Sequence, residues 1–300
     1  MRSFKTSDLS TLQIQSYLNH SVAPRPICFA STIDKDGNVN LSPFSFFNVF
    51  SVNPPVCVFS PSRRVRDNTT KHTLENLKEV PECVINIVNY DMVQQVSLSS
   101  VEYAKGVNEF IKSGLTPVPS DLVKPPRVAE SYVQFECVVK DIIHLADAPG
   151  AGNLVIAEIK VIHLDESILD TNGQIDQAKI NLVARLGGDW YCRVTTDNLF
   201  KVAKPVTTIG IGVDALPHNI RNSKVLTGNN LGQLGNVEAL PADNDIKAHV
   251  QSAEIKDLLN ATVGDSYARE LQLHIKAKAL LDEGRVVEAW LVLLIQQREE

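Results

Sequence analysis

The first two-thirds of the chain consist of short segments rich in valine and isoleucine, separated by turns and brief helical patterns. This composition is typical of β-strands. The strands do not alternate regularly with helices, which argues against a doubly wound parallel sheet. We therefore predict a mainly β, α+β fold built on a closed or split antiparallel barrel. The clearest strand candidates are PICFASTI (26–33), PVCVFS (55–60), CVINIV (83–88), YVQFECVVKDIIHL (132–145) and NLVIAEIKVIHL (153–164).

Two short helices interrupt the strands. TKHTLENLKEV (70–80) has leucines three positions apart, and we predict Thr69 or Thr70 as its N-cap. DMVQQVSLSS (91–100) is a second, shorter helix candidate.

The amino-acid composition and the hydrophobic pattern change from about Lys204. Residues 207–245 are rich in glycine, asparagine and proline, and residues 246–297 read as two or three amphipathic helices. In one of these, Leu271, Ile275 and Leu280–Leu281 are predicted to form the apolar stripe. We predict a domain over residues 1–205, followed by an accessory segment with a helical C-terminal extension over residues 206–300.

Charge and hydropathy exclude several classes of function. The formal charge is −6, so nucleic acid is not an expected partner. The N-terminus lacks the pattern of a secretory signal, and no apolar run approaches the roughly 18 residues of a membrane span. We expect no membrane association and a cytoplasmic protein. The five cysteines are odd in number, contain no CxxC pair and are expected as reduced, mostly buried thiols: Cys28, Cys57, Cys83, Cys137 and Cys192.

A cluster of aromatic and hydroxyl residues surrounds Pro43. Four of the ten phenylalanines fall within residues 44–50. Proline removes a backbone donor, and we predict that Pro43 bends or ends the strand pairing, leaving backbone groups for a ligand. Ser42 and Ser45 add hydroxyls. This surface would suit a flat heteroaromatic ring with polar edges.

A basic segment follows, SPSRRVRDNTTKHT (60–73). It places Arg63, Arg64 and Lys71 beside the start of a predicted helix, a combination that favours a phosphate. A ring site followed by a phosphate site indicates a mononucleotide such as a flavin. The residues alone leave a second interpretation open, an aromatic core hairpin beside a solvated basic turn.

No other cofactor or metal motif has the context that it needs. Residues 210–215 match the letters of a dinucleotide-binding G-x-G-x-x-A, but Pro217 falls where the phosphate-binding helix should run and no βαβ unit surrounds it. The seven histidines are scattered, and we expect no metal site.

The ordered motifs of residues 20–205 resemble the flavin reductase-like, FMN-binding split-barrel family. The shared elements are an R-P-I strand (25–27), a D-x-x-G turn (34–37), N-x-S-P-x-S-F (40–46), a P-P strand from 54, a K-x-T helix start (71–73) and an R-x-G-G-x-x-Y element (185–191). The family's K-D-T has His72 in place of the aspartate. The resemblance implies a split β-barrel.

The resemblance also implies the site residues. The isoalloxazine ring would be bordered by Asn40, Ser42, Pro43, Phe44, Ser45 and Phe46, while Phe47 and Phe50 are expected in the core. The phosphate would lie at Lys71 and Thr73, with Ser60 and Arg64 nearby. Roles for Arg185, Gly187, Gly188 and Tyr191 stay open between flavin contact, subunit contact and packing.

The activity implied is that of a flavin-dependent oxidoreductase. FMN, or FAD, would carry the chemistry, NAD(P)H would be the electron donor, and no side chain is expected as a catalytic acid or base. The resemblance further implies a homodimer. A non-enzymatic flavin-binding electron carrier that acts with a protein partner is the alternative, and a split barrel that has lost its cofactor is a third interpretation.

Overall fold

The computed structural model describes residues 1–295, which divide into two compact units, one comprising Met1–Phe200 and the other beginning at Lys201. Eleven strands lie in the described residues, all of them in the first unit: β1 (Cys28–Ile33), β2 (Val39–Phe44), β3 (Phe47–Val52), β4 (Pro55–Phe59), β5 (Glu82–Ile87), β6 (Pro117–Val118), β7 (Arg127–Val128), β8 (Val133–His144), β9 (Asn153–Leu164), β10 (Val183–Arg185) and β11 (Tyr191–Arg193).

Seven of the strands form one antiparallel sheet in the order β2-β1-β5-β8-β9-β4-β3, and β6-β7 and β10-β11 are separate pairs. The two edge strands, β2 and β3, are consecutive in the chain and joined by only Ser45 and Phe46. Because so short a connection holds the two edges close together, the sheet must curl round on itself. The result is a barrel that is split between β2 and β3, which confirms the predicted fold class.

The barrel interior is apolar and contains four of the five cysteines. Cys28, Cys57, Cys83 and Cys137 are buried free thiols, as predicted, and they pack with Phe44, Phe59 and Ile85 among others. The outer face of β1 is covered as well, because Ile27 and Phe29 pack against Val96 and Phe110 from the helices outside the barrel. Burial on both faces explains why the β1 segment reads as a continuous apolar run.

Four helices belong to the first unit: α1 (Thr11–Ser21), α2 (His72–Glu79), α3 (Val93–Leu98) and α4 (Glu109–Ser113). The predicted helices at 70–80 and 91–100 correspond to α2 and α3. The predicted N-cap of α2 is wrong. Lys71 occupies that position and no side chain caps the helix, because the Thr69 and Thr70 hydroxyls donate to Asp67 and Glu75 instead.

The second unit is helical in its described part, and more continuously so than predicted: α5 (His218–Arg221), α6 (Gly228–Gly235), α7 (Asp243–Val250), α8 (Ala253–Ala261), α9 (Ser266–Asp282) and α10 (Val286–Leu293). Two of these helices, α5 and α6, lie within the segment 207–245, before the region 246–297 in which we predicted helices. The buried stripe of α9 contains Leu273 and Ala277, whereas Ile275 is exposed, so the predicted stripe is only partly right. Residues 296 and 297 of the predicted helical region lie outside the described residues. None of the helices within residues 1–295 has the length and apolar character needed to cross a membrane.

Candidate functional site

A cleft of about 430 Å³ opens at the split of the barrel. Its walls come from the β2–β3 connection, the loop that follows β4, the exposed face of α1 and Glu102. Seven of the ten predicted site residues line this cleft: Pro43, Phe44, Ser45, Phe46, Ser60, Arg64 and Lys71. Asn40, Ser42 and Thr73 line a smaller adjoining cavity, which shares Arg64 and Lys71 with the cleft. The fold therefore brings the predicted residues together.

The end of the cleft formed by residues 43–46, hereafter the ring end, rests on the barrel core. Phe44 is only 7% exposed and its ring centroid lies 5.5 Å from that of Phe59, so it supports the wall from behind. Phe46 is 46% exposed and offers an apolar surface. The predictions for the next two phenylalanines differ in outcome: Phe47 packs against the core, whereas Phe50 is 70% exposed, because β3 is an edge strand.

Pro43 does not interrupt the strand pairing, contrary to our prediction. β2 stays in register with β1 through the pairs Phe29–Pro43 and Cys28–Phe44. The missing donor is tolerated because β2 is at the edge of the sheet. The polar groups available to a ligand are therefore those of the β2–β3 connection that follows, rather than unpaired groups at Pro43.

A buried arginine, Arg25, holds the ring end in place. The site prediction did not include this residue. Arg25 is 6% exposed, and its Nε donates to Ser45 Oγ at 3.3 Å. The rest of its guanidinium donates to three backbone carbonyls, those of Asn19 (2.6 Å), Val22 (2.8 Å) and Leu186 (3.0 Å). Burial, followed by the charge of Arg185, lowers the pKa of Arg25. The Arg25 guanidinium lies directly behind Ser45.

The opposite end, hereafter the cation end, contains four basic residues, and the three arginines are engaged within the protein. Arg63 donates to the side chain and carbonyl of Asn68, both at 2.7 Å. Arg64 binds Glu102 at 2.9 Å, Thr69 Oγ1 and the Thr70 carbonyl. The more exposed Arg66 reaches the other oxygen of Glu102 at 2.6 Å. These contacts order the loop around the cleft.

Lys71 differs from the three arginines. Its side chain is half-buried, and within residues 1–295 its ammonium has no hydrogen-bond or ion-pair partner. Burial is the main cause that lowers its pKa, with a further contribution from Arg64 and an opposing one from Glu102. A partly desolvated cation without an anion at the N-cap of α2 is a ready site for a phosphate.

Asn40 and Thr73 form a buried network beneath the cation end. Thr73 Oγ1 donates to Asn40 Oδ1 at 2.7 Å, and Asn40 Nδ2 donates to Glu109 Oε1 at 2.9 Å. The other Glu109 oxygen accepts from the Leu41 N–H at 2.9 Å. Burial raises the pKa of Glu109, although the hydrogen bonds from Leu41 and Asn40 oppose the shift. The Thr73 side chain is therefore engaged inside the protein and positions the first turn of α2.

Ser60 also has a structural partner. It is buried, and its hydroxyl accepts from the Asn153 N–H at 3.1 Å while its own N–H donates to the Phe46 carbonyl at 2.9 Å. Ser60 thereby joins the loop after β4 to the β2–β3 connection and to the start of β9. Ser42 is half-buried at the smaller cavity.

The sequence predictions missed the contributions of α1 and Glu102. Gln15 and Asn19 of α1 line the cleft. The helix begins with a capping box between Ser10 and Gln13, and the letters S-x-x-Q at 10–13 are the signal that would have found it. Glu102 has no comparable local signal, since only the fold brings it to Arg64 and Arg66.

The R-x-G-G-x-x-Y element lies beside α1. A Cβ atom at Gly187 would be 2.2 Å from the ring of His20, so the glycine permits close approach. Gly188 has φ +58°, the left-handed region that favours glycine. Arg185 and Tyr191 stack at 4.5 Å.

One group of described residues has its ligand atoms close enough for a metal ion: Asp121, Glu136 and His163. Both Glu136 oxygens are already engaged. They accept from the N–H groups of Asp121, Leu122 and Val123 and from His163 Nε2 at 2.7 Å. Burial acts to raise the pKa of Glu136, but these hydrogen bonds lower it overall. The group anchors the loop at 121–123.

Comparisons with known proteins agree with the fold. The chain is similar to nitrilotriacetate monooxygenase component B from Bacillus cereus (27% identity, TM-score 0.63, covering 67% of this chain and 98% of that one). It is similar to 2-nitrobenzoate 2-nitroreductase from Pseudomonas fluorescens (25%, 0.60, 68% and 98%). An uncharacterised protein of Aquifex aeolicus is 39% identical over 181 residues, which are 60% of this chain and 90% of that protein.

The class of protein follows from these observations. The split barrel, together with the similarity to these proteins, places the chain among the flavin-related oxidoreductases. The model of the flavin reductase like domain matches residues 20–179, more than half of the chain, and the chain belongs to that family. The family predicted from the sequence is confirmed.

Proposed function

We propose that this protein is an FMN-containing oxidoreductase that takes hydride from NAD(P)H and binds the flavin in the cleft at the split of the barrel. Lys71 carries the proposal, because it is a half-buried cation without a partner in residues 1–295 and the other basic groups around it are engaged. The cleft volume of about 430 Å³ is within the range of about 300–1,000 Å³ typical of small-molecule sites.

The residues present fit a flavin mononucleotide. The ring would lie at the ring end, against Pro43, Ser45 and the exposed face of Phe46, with Phe44 as support. The phosphate would lie at Lys71, with Arg64 beside it and the uncapped N-terminus of α2 behind it. FMN is favoured over FAD because the cation end of the cleft suits one terminal phosphate.

When bound, FMN would supply the redox chemistry by accepting hydride from the nicotinamide and passing electrons to an acceptor. The protein's own residues bind and orient. Arg25 holds Ser45 and adds a buried positive charge behind the ring end, which favours a ligand that becomes more negative on reduction. Glu109, Asn40 and Thr73 hold the first turn of α2 in place.

The proposal includes a homodimer. Apolar side chains are exposed on the edge strand β3, at Val49, Phe50 and Val52, and on α1, at Tyr17 and Leu18. Exposed apolar side chains of this kind suit contact with a second subunit. A cytoplasmic location stays a prediction from the sequence.

A visible absorbance spectrum of the purified protein, followed by titration with FMN, tests flavin binding. Oxidation of NADH and of NADPH is then measured with free FMN added. We expect flavin uptake and turnover with at least one nucleotide. Failure to take up flavin would contradict the proposal. Flavin uptake without turnover of either nucleotide would indicate the electron carrier instead of the enzyme.

A further inference from the structure

A further cavity of about 160 Å³, distinct from the main cleft and from the smaller cavity at Asn40 and Thr73, borders residues 43–45. Pro43, Phe44 and Ser45 line both this cavity and the main cleft, so this short segment forms the wall between them. The remaining lining residues come from the position before β1, from α3 and the turn that follows it, and from the β10–β11 pair: Ile27, Val96, Ser97, Ser100, Arg185 and Tyr191. The cavity combines apolar walls with one cation, two aromatic rings and three serines.

The cation of this cavity is available to a ligand. Within residues 1–295 the Arg185 guanidinium has no hydrogen-bond or ion-pair partner, and its contact is the Tyr191 ring, 4.5 Å from Cζ. Stacking on an aromatic face orients a guanidinium and leaves its edge free to bind a carboxylate or a phosphate with two parallel hydrogen bonds.

The only charged side chain among the described residues that line the cavity is that of Arg185. Arg25 lies behind Ser45. The pKa of Arg25 is lowered mainly by burial, and the positive charge of Arg185 contributes to the shift. Neither arginine forms an ion pair in the part of the chain that the structure describes. The Ser97 hydroxyl is exposed and has no hydrogen-bond partner within residues 1–295, so it can donate to a ligand. An anionic group is the ligand chemistry that these residues share.

The volume limits how much of a ligand can enter. A cavity of about 160 Å³ is well below the range of about 300–1,000 Å³ for whole drug-sized ligands. It accommodates a single ring or one charged end of a longer molecule. Tyr191 and Val96 offer flat and apolar surfaces for such a ring.

We propose that this cavity binds the anionic group of the second reactant, the molecule that exchanges electrons with the bound flavin. The group is a carboxylate or a phosphate, and the bound end of the molecule is no larger than a single ring. Arg185 is the specificity-determining residue. As a second-reactant site it rests on the proposed function, because only the wall of residues 43–45 separates it from the proposed ring site. As an anion site it rests on Arg185, Tyr191 and Ser97 alone.

The test is a ligand-observed NMR titration of the full-length protein without flavin. The probes are benzoate, its neutral isostere benzamide, and nicotinamide mononucleotide, which carries a phosphate. We expect benzoate or the mononucleotide to bind at least about tenfold more tightly than benzamide, as one charge-assisted bidentate contact implies. The tighter of the two anions identifies whether the reactant carries a carboxylate or a phosphate.

Arg185→Gln should remove the preference for the anion, and Arg185→Lys should restore part of it. Arg193→Gln is the matched control, because Arg193 lies in the same strand pair but stacks on Tyr90 at 3.9 Å and does not line the cavity. Its preference should be unchanged. If neither benzoate nor the mononucleotide bound the wild type more tightly than benzamide, or if the preference were unchanged in folded Arg185→Gln, the proposal would be overturned. A parallel FMN titration distinguishes failure of the proposed function, since the anion comparison is made without flavin.

Discussion

The two ends of the cleft are built on different principles. At the ring end, every polar group of Arg25 is engaged inside the protein and Phe44 is packed on Phe59, so the geometry is fixed by the fold. At the cation end, the charges lie on a partly exposed loop, and Lys71 has no partner among residues 1–295.

This difference predicts that the residues that shape the ring end and the charge at the cation end affect different properties, folding in one case and ligand binding in the other. Residues that give the ring end its shape should affect folding when they are changed, because their contacts exist without any ligand. Lys71 should affect ligand binding and leave folding almost intact, because its ammonium makes no contact that stabilises the protein. The predictions below test this separation, from the largest expected effect to the smallest.

Arg25→Leu should have the largest effect, a loss of about 2–4 kcal/mol in the free energy of unfolding of the first unit. The substitution leaves three backbone carbonyls and Ser45 without their charged donor. Urea unfolding followed by circular dichroism measures it. The control Arg66→Leu removes an exposed arginine and should leave the midpoint unchanged. Equal stability of both variants would show that Arg25 does not fix the ring end.

Lys71→Ala should weaken FMN binding by about 1.5–3 kcal/mol, since it removes a charge-assisted hydrogen bond to the phosphate. Fluorescence titration of FMN gives the dissociation constant, and thermal unfolding should change little. Arg66→Ala, on the same loop, is the matched control with the smaller expected effect, because Arg66 is exposed and paired with Glu102. An unchanged dissociation constant for Lys71→Ala would place the phosphate elsewhere.

Ser45→Val should perturb the spectrum or the potential of the bound flavin more than it perturbs folding. The substitution removes a hydroxyl at the ring end and leaves Arg25 Nε with an apolar neighbour. Ser45→Thr keeps the hydroxyl and should restore the spectrum. If only the unfolding temperature of Ser45→Val changed, Ser45 would be a packing residue.

The smallest effect is a pH dependence of FMN affinity. The pKa of Lys71 lies below its ordinary 10.5 in the free protein, mainly through burial, and a bound phosphate raises it again. Affinity should therefore be full below the lowered pKa and fall as the pH rises through it towards 10.5. Titrations above pH 7 should show this fall in the wild type and a flat profile in Lys71→Arg, whose guanidinium stays charged. Parallel profiles would exclude Lys71 as the titrating group.

Much of the fold could be predicted from the sequence because the barrel strands are long and rich in β-branched residues. The segments at 26–33, 83–88, 132–145 and 153–164 all became strands. The second unit was predicted less well. Gly228–Gly235 is a helix despite its three glycines, and packing of Leu234 into a buried cluster outweighs the low propensity.

The site could be predicted only where its residues are close in sequence. Residues 40–46 and 60–73 carry local patterns, and the fold brings them to one cleft and its adjoining cavity. Glu102 and Glu109 could not be found, because their partners Arg64 and Asn40 are more than thirty residues away. The effect attributed to Pro43 was wrong, since a sequence does not reveal which strand lies at an edge.

The most direct test of the central claim compares FMN with riboflavin, which has the same ring and lacks the phosphate. Isothermal titration of the wild type and of Lys71→Ala gives the ratio of the two affinities. We predict that the wild type binds FMN at least about tenfold more tightly than riboflavin and that Lys71→Ala loses most of this ratio. Equal affinities of the wild type for FMN and riboflavin, or binding of neither, would contradict the assignment of the cleft.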